Sequence, residues 1–152
     1  MPDLFDPTTI GLPEAQGVLA AQPFSRLLGA RLTSFGEGEA VLEIDITDHH
    51  RQQFGLVHGG VLAYCADNVL TFAAGTVLGP SIVTSGLSVT YLAAAREGTL
   101  RATAKVIAHD RRRAVASVVI DEIGADGSVR TCATAQGSAV ASAPRSGALA
   151  DT

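Results

Sequence analysis

A single long apolar segment, running from Gly60 to Gly79, constrains this chain more than any other feature. The segment is long enough to cross a membrane, but Asp67 lies near its middle. A central Asp costs about 2.5–3.5 kcal/mol on membrane insertion. We therefore interpret the segment as the buried helix of a soluble domain that does not contact a membrane. We expect this helix to open at Gly59-Gly60 and to end near Gly79-Pro80, because glycine closes a helix and proline prevents its continuation.

The composition sets the class of protein. The 152 residues are enough for one domain. A composition of 47% hydrophobic and only 17% charged residues excludes a disordered chain. The net charge of −4 leaves no broad basic face for nucleic acid. Cys65 and Cys132 lie in apolar stretches, which predicts buried free thiols in a reducing, cytoplasmic compartment. No Cys/His cluster has the spacing of a zinc site, so we expect no metal.

Three regions follow from the pattern along the chain: a flexible leader over residues 1–12, one domain over 13–141 and a disordered tail over 142–152. The domain should open with one or two short helices between Pro13 and Leu28, interrupted at Pro23. Two strands should follow between Arg31 and Ile46.

Four further strands are predicted after the long helix. Their short connections favour antiparallel pairing in a meander. One apolar helix and one antiparallel sheet must cover each other, which predicts an α+β domain with a sheet of about five or six strands wrapped around a central helix. The four strands are Ile82–Leu92, Gly98–His109, Arg113–Ile123 and Ser128–Val140.

Chemistry is concentrated at the start of the long helix, in His58-Gly59-Gly60. Two glycines allow a ligand or another backbone to approach closely. The free N–H groups of a first helical turn, together with the helix dipole, can hold an oxyanion. The alternative is a tight turn with packing glycines.

Asp67 is the second candidate. A carboxylate among apolar groups can serve as a general base or as a nucleophile. Alternatively it faces water or pairs with a neighbour, and Asn68 and Thr71 are close enough in sequence to be that partner. Gly59 and Asp67 are eight residues apart, which is about 12 Å along a helix. One helix cannot bring both to a single carbonyl, so an enzyme site would have to combine two subunits of an obligate homo-oligomer.

The run from Phe54 to Leu62, with His58-Gly59-Gly60 at its centre and Asp67 nine residues after the His, resembles the signature of hotdog-fold acyl-CoA thioesterases of the PaaI type. The resemblance extends from about Phe24 to Ala141 and includes the strand Val83–Leu92. It implies the hotdog fold, in which a sheet wraps a long helix, and hydrolysis of an acyl-CoA. It requires no cofactor, since coenzyme A is part of the substrate.

The resemblance also implies roles for individual residues. Asp67 matches the base or nucleophile, and Gly59 matches the residue whose N–H polarises the thioester carbonyl. His58 matches a residue that arranges the turn. Thr84 lies where some members carry a Ser that holds the attacking water, and Thr71 where others place a hydroxyl near the carboxylate.

Gln52 departs from the family pattern, because many PaaI-type members have Asn there. A Gln occurs at this place in some 4-hydroxybenzoyl-CoA thioesterases, which use Glu where this chain has Asp67. Its amide keeps a donor and an acceptor that can orient water or the leaving sulfur, and Gln53 is the alternative if the loop shifts by one residue.

Two further groups are candidates for binding substrate. Arg111, Arg112 and Arg113 lie at a predicted hairpin turn, where they are either solvated or bind coenzyme A phosphates. Besides Gly60 and Thr71, apolar and aromatic residues are candidates for lining an acyl tunnel suited to aryl or medium aliphatic chains: Phe54, Leu56, Val57, Tyr64, Leu70 and Leu87.

The function predicted from these residues is acyl-CoA hydrolysis by a homodimer, or by a tetramer built as a dimer of dimers. A non-catalytic acyl-CoA-binding or ligand-sensing protein of the same fold is the alternative. A hydratase is disfavoured by the spacing between the two glycines and Asp67.

Overall fold

A computed structural model describes residues 10–142. The predicted leader and tail lie outside this range, except for residues 10–12 and 142. Two short helices come first, α1 (Leu12–Ala20) and α2 (Pro23–Leu28). They are separate because Pro23 occupies the first turn of α2 and Gln22, before it, is extended. The predicted interruption at Pro23 is confirmed.

The remaining elements form one sheet and one long helix, and every pair of neighbouring strands is antiparallel. The strand order is β1-β2-β4-β5-β6-β3. The predicted α+β architecture of a six-stranded sheet with a long central helix is confirmed. The elements are β1 (Arg31–Gly36), β2 (Glu39–Asp45), α3 (Gly59–Leu78), β3 (Ile82–Tyr91), β4 (Thr99–His109), β5 (Arg113–Ile123) and β6 (Val129–Ala141).

The prediction of a four-stranded meander is wrong at its first connection. Only β4, β5 and β6 form a meander, whereas β3 pairs with β6 at the far edge of the sheet. The segment between β3 and β4 is therefore not a hairpin turn. It is a crossover that passes the ends of β6 and β5, and its seven residues can span the three strand spacings of about 4.8 Å each.

Side chains and backbone of β5 and β6 hold this crossover in place. The N–H groups of Leu92 and Ala93 donate to the carbonyl of Cys132. The Glu122 carboxylate accepts the N–H groups of Arg96 and Glu97. The crossover is thus an ordered part of the sheet's end.

The long helix α3 lies across all six strands. Its buried side includes Cys65, Val69 and Ala73, each with no exposed surface. The facing strands supply small side chains such as Ala102 and Ala116, which let helix and sheet approach closely. The interpretation of the apolar segment as a core helix is confirmed.

Both cysteines are free and buried, as predicted. Burial raises the pKa of Cys65 to about 12, so this thiol stays protonated at neutral pH. It is a packing residue of the core.

Strand β3 contains an irregularity that decides which of its side chains face α3. Its register against β6 shifts between Thr84 and Gly86. Such a bulge moves the alternation by one residue. Thr84 therefore faces the helix before the bulge, and Leu87 and Tyr91 face it after the bulge.

Candidate active site

The start of α3 is built by His58, Gly59 and Gly60. His58 is the N-cap residue, and its Nδ1 accepts the Gly60 N–H at 2.8 Å. The Val61 N–H donates to the His58 carbonyl. Among residues 10–142, the Gly59 N–H donates to no protein acceptor. Of the two glycines at the positive end of the helix, Gly59 therefore presents a free donor, whereas the Gly60 N–H is engaged by His58.

Tyr91 closes one side of this turn. Its hydroxyl donates to the Gly59 carbonyl at 3.0 Å, and its ring would lie 3.4 Å from a Cβ placed on Gly59. Tyr91 was not predicted as a site residue. The alternation of Leu87, Val89 and Tyr91 along β3 was the signal that could have placed it beside the helix.

Asp67 lies two turns further along α3, on an exposed side of the helix next to the edge strand β3. In the single chain its side chain is exposed, so the predicted apolar surroundings are absent from one protomer. Thr84 donates its hydroxyl to Asp67 Oδ1 at 2.5 Å, while Oδ2 accepts no hydrogen bond within the described part of the chain. The structure thus joins the two predicted residues Asp67 and Thr84 and leaves one carboxylate oxygen free.

Neither neighbour in sequence pairs with Asp67. Thr71 donates its hydroxyl to the Asn68 carbonyl, which satisfies it within its own helix. Asn68 points towards α2 instead. The Thr71 hydroxyl is thus held within its own helix, and Thr84 from β3 supplies the hydroxyl that is hydrogen-bonded to Asp67.

An open cleft of about 560 Å³ lies over Asp67. Gly60 and Ala63 of α3 form its floor, with Leu87 of β3 and Phe24 of α2 at its sides. The cleft thus reaches from the helix start to the carboxylate along one exposed stripe of α3.

A cluster of hydrogen-bonded polar side chains forms the α2 wall of this cleft. Tyr64 donates its hydroxyl to Ser25 Oγ at 2.6 Å, and Ser25 donates to Gln22 Oε1 at 2.6 Å. Asn68 Nδ2 donates to Tyr64 and to Gln22. Burial raises the pKa of Tyr64, so its phenol remains a donor. Sequence reasoning did not find Gln22 or Ser25, because their pairing with α3 is a tertiary contact.

Gln52 organises the loop before the helix. Its Oε1 accepts the N–H groups of Phe54 at 2.6 Å and Leu56 at 3.2 Å. Two N–H donors identify this atom as oxygen, which leaves Nε2 as the atom available for other contacts. Gln52 can therefore donate to water or sulfur, but its acceptor is used inside the loop.

The predicted tunnel residues separate into three groups. Tyr64 and Leu87 line the cleft. Val57 and Leu70 are core residues, 6% and 0% exposed, so their predicted contact with substrate is wrong for this protomer. Phe54 is 76% exposed, Leu56 is half-buried, and both lie outside the cleft.

Arg111, Arg112 and Arg113 lie at the turn between β4 and β5, where Asp110 Oδ1 accepts the N–H groups of Arg112 and Arg113. Because Arg113 pairs with Val140 and Tyr91 contacts Gly59, the arginines and the helix start lie at opposite ends of the sheet. The structure does not bring the arginines to Gly59 of the same protomer.

Within residues 10–142, no three His, Cys, Asp or Glu side chains are grouped as metal ligands would be. The polar groups of the candidate site are the Asp67 carboxylate, hydroxyl and amide side chains, and the Gly59 N–H.

Comparison with known proteins places the chain in a family. A family model described as the thioesterase superfamily matches residues 54–141, which include the helix start, Asp67 and Thr84. The chain belongs to the thioesterase superfamily. The resemblance drawn from the His-Gly-Gly turn and Asp67 is confirmed at the level of the family.

Individual members of this superfamily are similar over most of the domain. A 1,4-dihydroxy-2-naphthoyl-CoA hydrolase of Listeria monocytogenes is 30% identical over 82 residues, covering 53% of this chain and 67% of the relative. The human acyl-coenzyme A thioesterase 13 is 32% identical over 101 residues, covering 64% and 72%. A mutant structure of phenylacetic acid degradation protein PaaI from Thermus thermophilus aligns with a TM-score of 0.69 at 26% identity, covering 79% and 99%.

Proposed function

We propose that this thioesterase superfamily member hydrolyses acyl-CoA thioesters with aryl or medium-chain acyl groups. The observation that carries the proposal is the Asp67 carboxylate, held at one oxygen by Thr84 and exposed to a cleft at the other. The relatives named as an acyl-coenzyme A thioesterase and a naphthoyl-CoA hydrolase support the same reaction class.

In the proposed reaction, the Gly59 N–H and the dipole of α3 stabilise the negative charge that develops on the thioester oxygen. Asp67 removes a proton from water as the water oxygen bonds to the carbonyl carbon. Alternatively it attacks that carbon directly, and water hydrolyses the resulting acyl-Asp67 anhydride after coenzyme A has left. The carbon–sulfur bond then breaks and coenzyme A leaves as a thiolate that takes up a proton. Thr84 orients the carboxylate, and Gln52 Nε2 donates to the water or to the leaving sulfur.

The proposed site lies between two subunits. Gly59 and Asp67 of one chain are about 12 Å apart along α3, and a reacting carbonyl must lie about 3 Å from both its oxyanion donor and its attacking group. The edge strand β3 and the exposed stripe of α3 are the faces that a second copy would cover. A two-fold dimer would then contain two identical sites.

The turn between β4 and β5 that carries Arg111, Arg112 and Arg113, called the arginine turn below, is consistent with a site between two subunits. Because α3 is about 30 Å long, a coenzyme A whose thioester lies at Gly59 of one subunit would bring its phosphates to the arginine turn of another. Arg111, Arg112 and Arg113 make no ion pair among the described residues, so their guanidinium groups are available for phosphates.

The test is release of free thiol from a panel of phenylacetyl-, benzoyl-, naphthoyl- and fatty acyl-CoAs, with Asp67→Asn beside the native protein. We expect kcat to fall by about 100-fold or more with little change in KM, because the carboxylate acts in the transition state. Asp126→Asn is the matched control, since an amide oxygen at this exposed turn still accepts the Ser128 N–H.

Two other outcomes would reject the proposal. Equal activity of Asp67→Asn and the native protein would remove Asp67 from the mechanism. Tight binding of coenzyme A esters by both proteins without turnover would instead establish an acyl-CoA-binding protein.

A further inference from the structure

A second cavity lies beside the cleft, on the same face of α3. It measures about 190 Å³ and lies between α1, the second half of α3 and the start of β3. Its walls are almost entirely apolar and include Val18, Phe35, Phe72, Gly75 and Ile82. Thr71, one of the predicted substrate-binding residues, also lines this cavity.

Two observations connect the cavity with the cleft. Gln22 lines both spaces and therefore stands at their boundary. Thr71, which lines the cavity, follows Asp67 by one helical turn, about 6 Å along the axis. An acyl chain whose carbonyl lies at Asp67 can thus extend along α3 past Thr71 towards Gly75.

The size and chemistry of the cavity define what it can hold. An apolar protein cavity of about 150 Å³ stays dry and binds benzene. A space of about 190 Å³ with apolar walls therefore suits a phenyl ring or a short alkyl segment.

Gly75 leaves room in this cavity because it has no side chain. A Cβ at Gly75 would lie 3.8 Å from Ile82 Cδ1, an ordinary contact across the cavity. A longer side chain at this position would occupy the space itself. The absence of a side chain at Gly75 thus keeps the far end of the cavity open.

On the basis of the proposed function, we propose that the acyl group of the substrate runs along α3 from Asp67 and ends in this cavity. Gly75 is then a specificity-determining residue. The preferred substrates are unbranched medium-length acyl groups and those that end in a phenyl ring, because shorter groups such as acetyl stop in the cleft.

The test measures binding of non-hydrolysable thioethers, namely S-ethyl-, S-butyl-, S-hexyl-, S-octyl- and S-decyl-CoA, by titration calorimetry. In the native protein we expect affinity to rise by up to about fourfold for each methylene that enters the cavity. In Gly75→Leu and in Thr71→Leu the rise should stop at a shorter chain, and the octyl-to-ethyl affinity ratio should fall at least about tenfold.

Gly17→Leu is the matched control, because Gly17 is exposed on α1, lies outside the cavity lining and has no atom within 4 Å of a Cβ placed on it. This control should keep the native rise. The same rise in Gly75→Leu or Thr71→Leu as in the native protein would overturn the proposal. Because thioethers are not hydrolysed, this result is independent of whether any thioester is turned over.

Discussion

At the residue scale, one hydrogen bond distinguishes two adjacent glycines. His58 Nδ1 accepts the Gly60 N–H, whereas within residues 10–142 the Gly59 N–H donates to no protein acceptor. His58 therefore orders the turn through its Nδ1. Its position as N-cap explains why a histidine precedes the two glycines, since the cap satisfies one of the orphan donors of the first turn.

The role of the Gly59 N–H can be tested by removing that one atom. Gly59→Pro deletes the donor at the first helical position, where proline is tolerated, and His58 already has the extended conformation required before proline. We expect kcat to fall by about 100-fold, the size typical for loss of an oxyanion donor. Gly59→Ala keeps the N–H and is the control for the added contact with Tyr91. If Pro and Ala variants lose activity equally in the thiol-release assay, the N–H is not the donor.

At the element scale, the crossover between β3 and β4 depends on Glu122. Desolvation alone would raise the pKa of Glu122, but the N–H groups of Arg96 and Glu97 and the guanidinium of Arg130 outweigh it and lower the pKa below its ordinary 4.5. The ionised carboxylate thus holds the crossover across the end of the sheet, where it allows β3 to reach the far edge beside α3.

This interaction predicts a pH-dependent stability. Because the pKa of Glu122 is lower in the folded state, its ionised carboxylate stabilises the fold at pH values above its unfolded-state pKa of 4.5. This stabilisation is lost as the pH falls through the folded-state pKa. Glu122→Gln should therefore reduce the free energy of unfolding in urea by about 1–2 kcal/mol at pH 7, and this difference should shrink as the pH falls below 4.5 and be lost below the folded-state pKa of Glu122. Glu97→Gln, an exposed change in the same crossover, should have no such effect. A difference that is independent of pH would assign the loss to packing instead.

At the scale of the whole molecule, the two proposed catalytic groups of one protomer lie too far apart to act on the same thioester. Asp67 is exposed in one protomer, and Gly59 lies two helical turns away on the same helix. In the proposed dimer, each protomer would supply half of each of two sites. The proposed dimer follows from the length of α3 and from the reach of one thioester.

Mixing two inactive variants tests this arrangement. When Asp67→Asn and Gly59→Pro subunits are refolded together, half of the dimers formed at random contain both variants, and each of these has one intact site of two. We therefore expect recovery of about a quarter of native activity in the thiol-release assay. Each variant refolded alone is the control. No recovery, despite mixed dimers detected by two affinity tags, would place the whole site within one protomer.

The sequence by itself determined the elements of this protein and the position of its reactive groups along the chain. Apolar periodicity, Pro23 and the glycines at both ends of α3 are local signals, because they act through backbone conformation and hydrogen bonding between near neighbours. The spacing from His58 to Asp67 was readable for the same reason, since a helix converts sequence separation directly into distance.

Only the tertiary structure decided how these parts meet. Strand β3 pairs with β6 rather than β4, since pairing depends on which edge the curved sheet offers and not on the length of a connection. The bulge after Thr84 allows Thr84 and Leu87 to face α3 together, with the Thr84 hydroxyl on Asp67. Gln22 lies at the boundary of the cleft and the cavity. These contacts join residues far apart in sequence, so no local pattern encodes them.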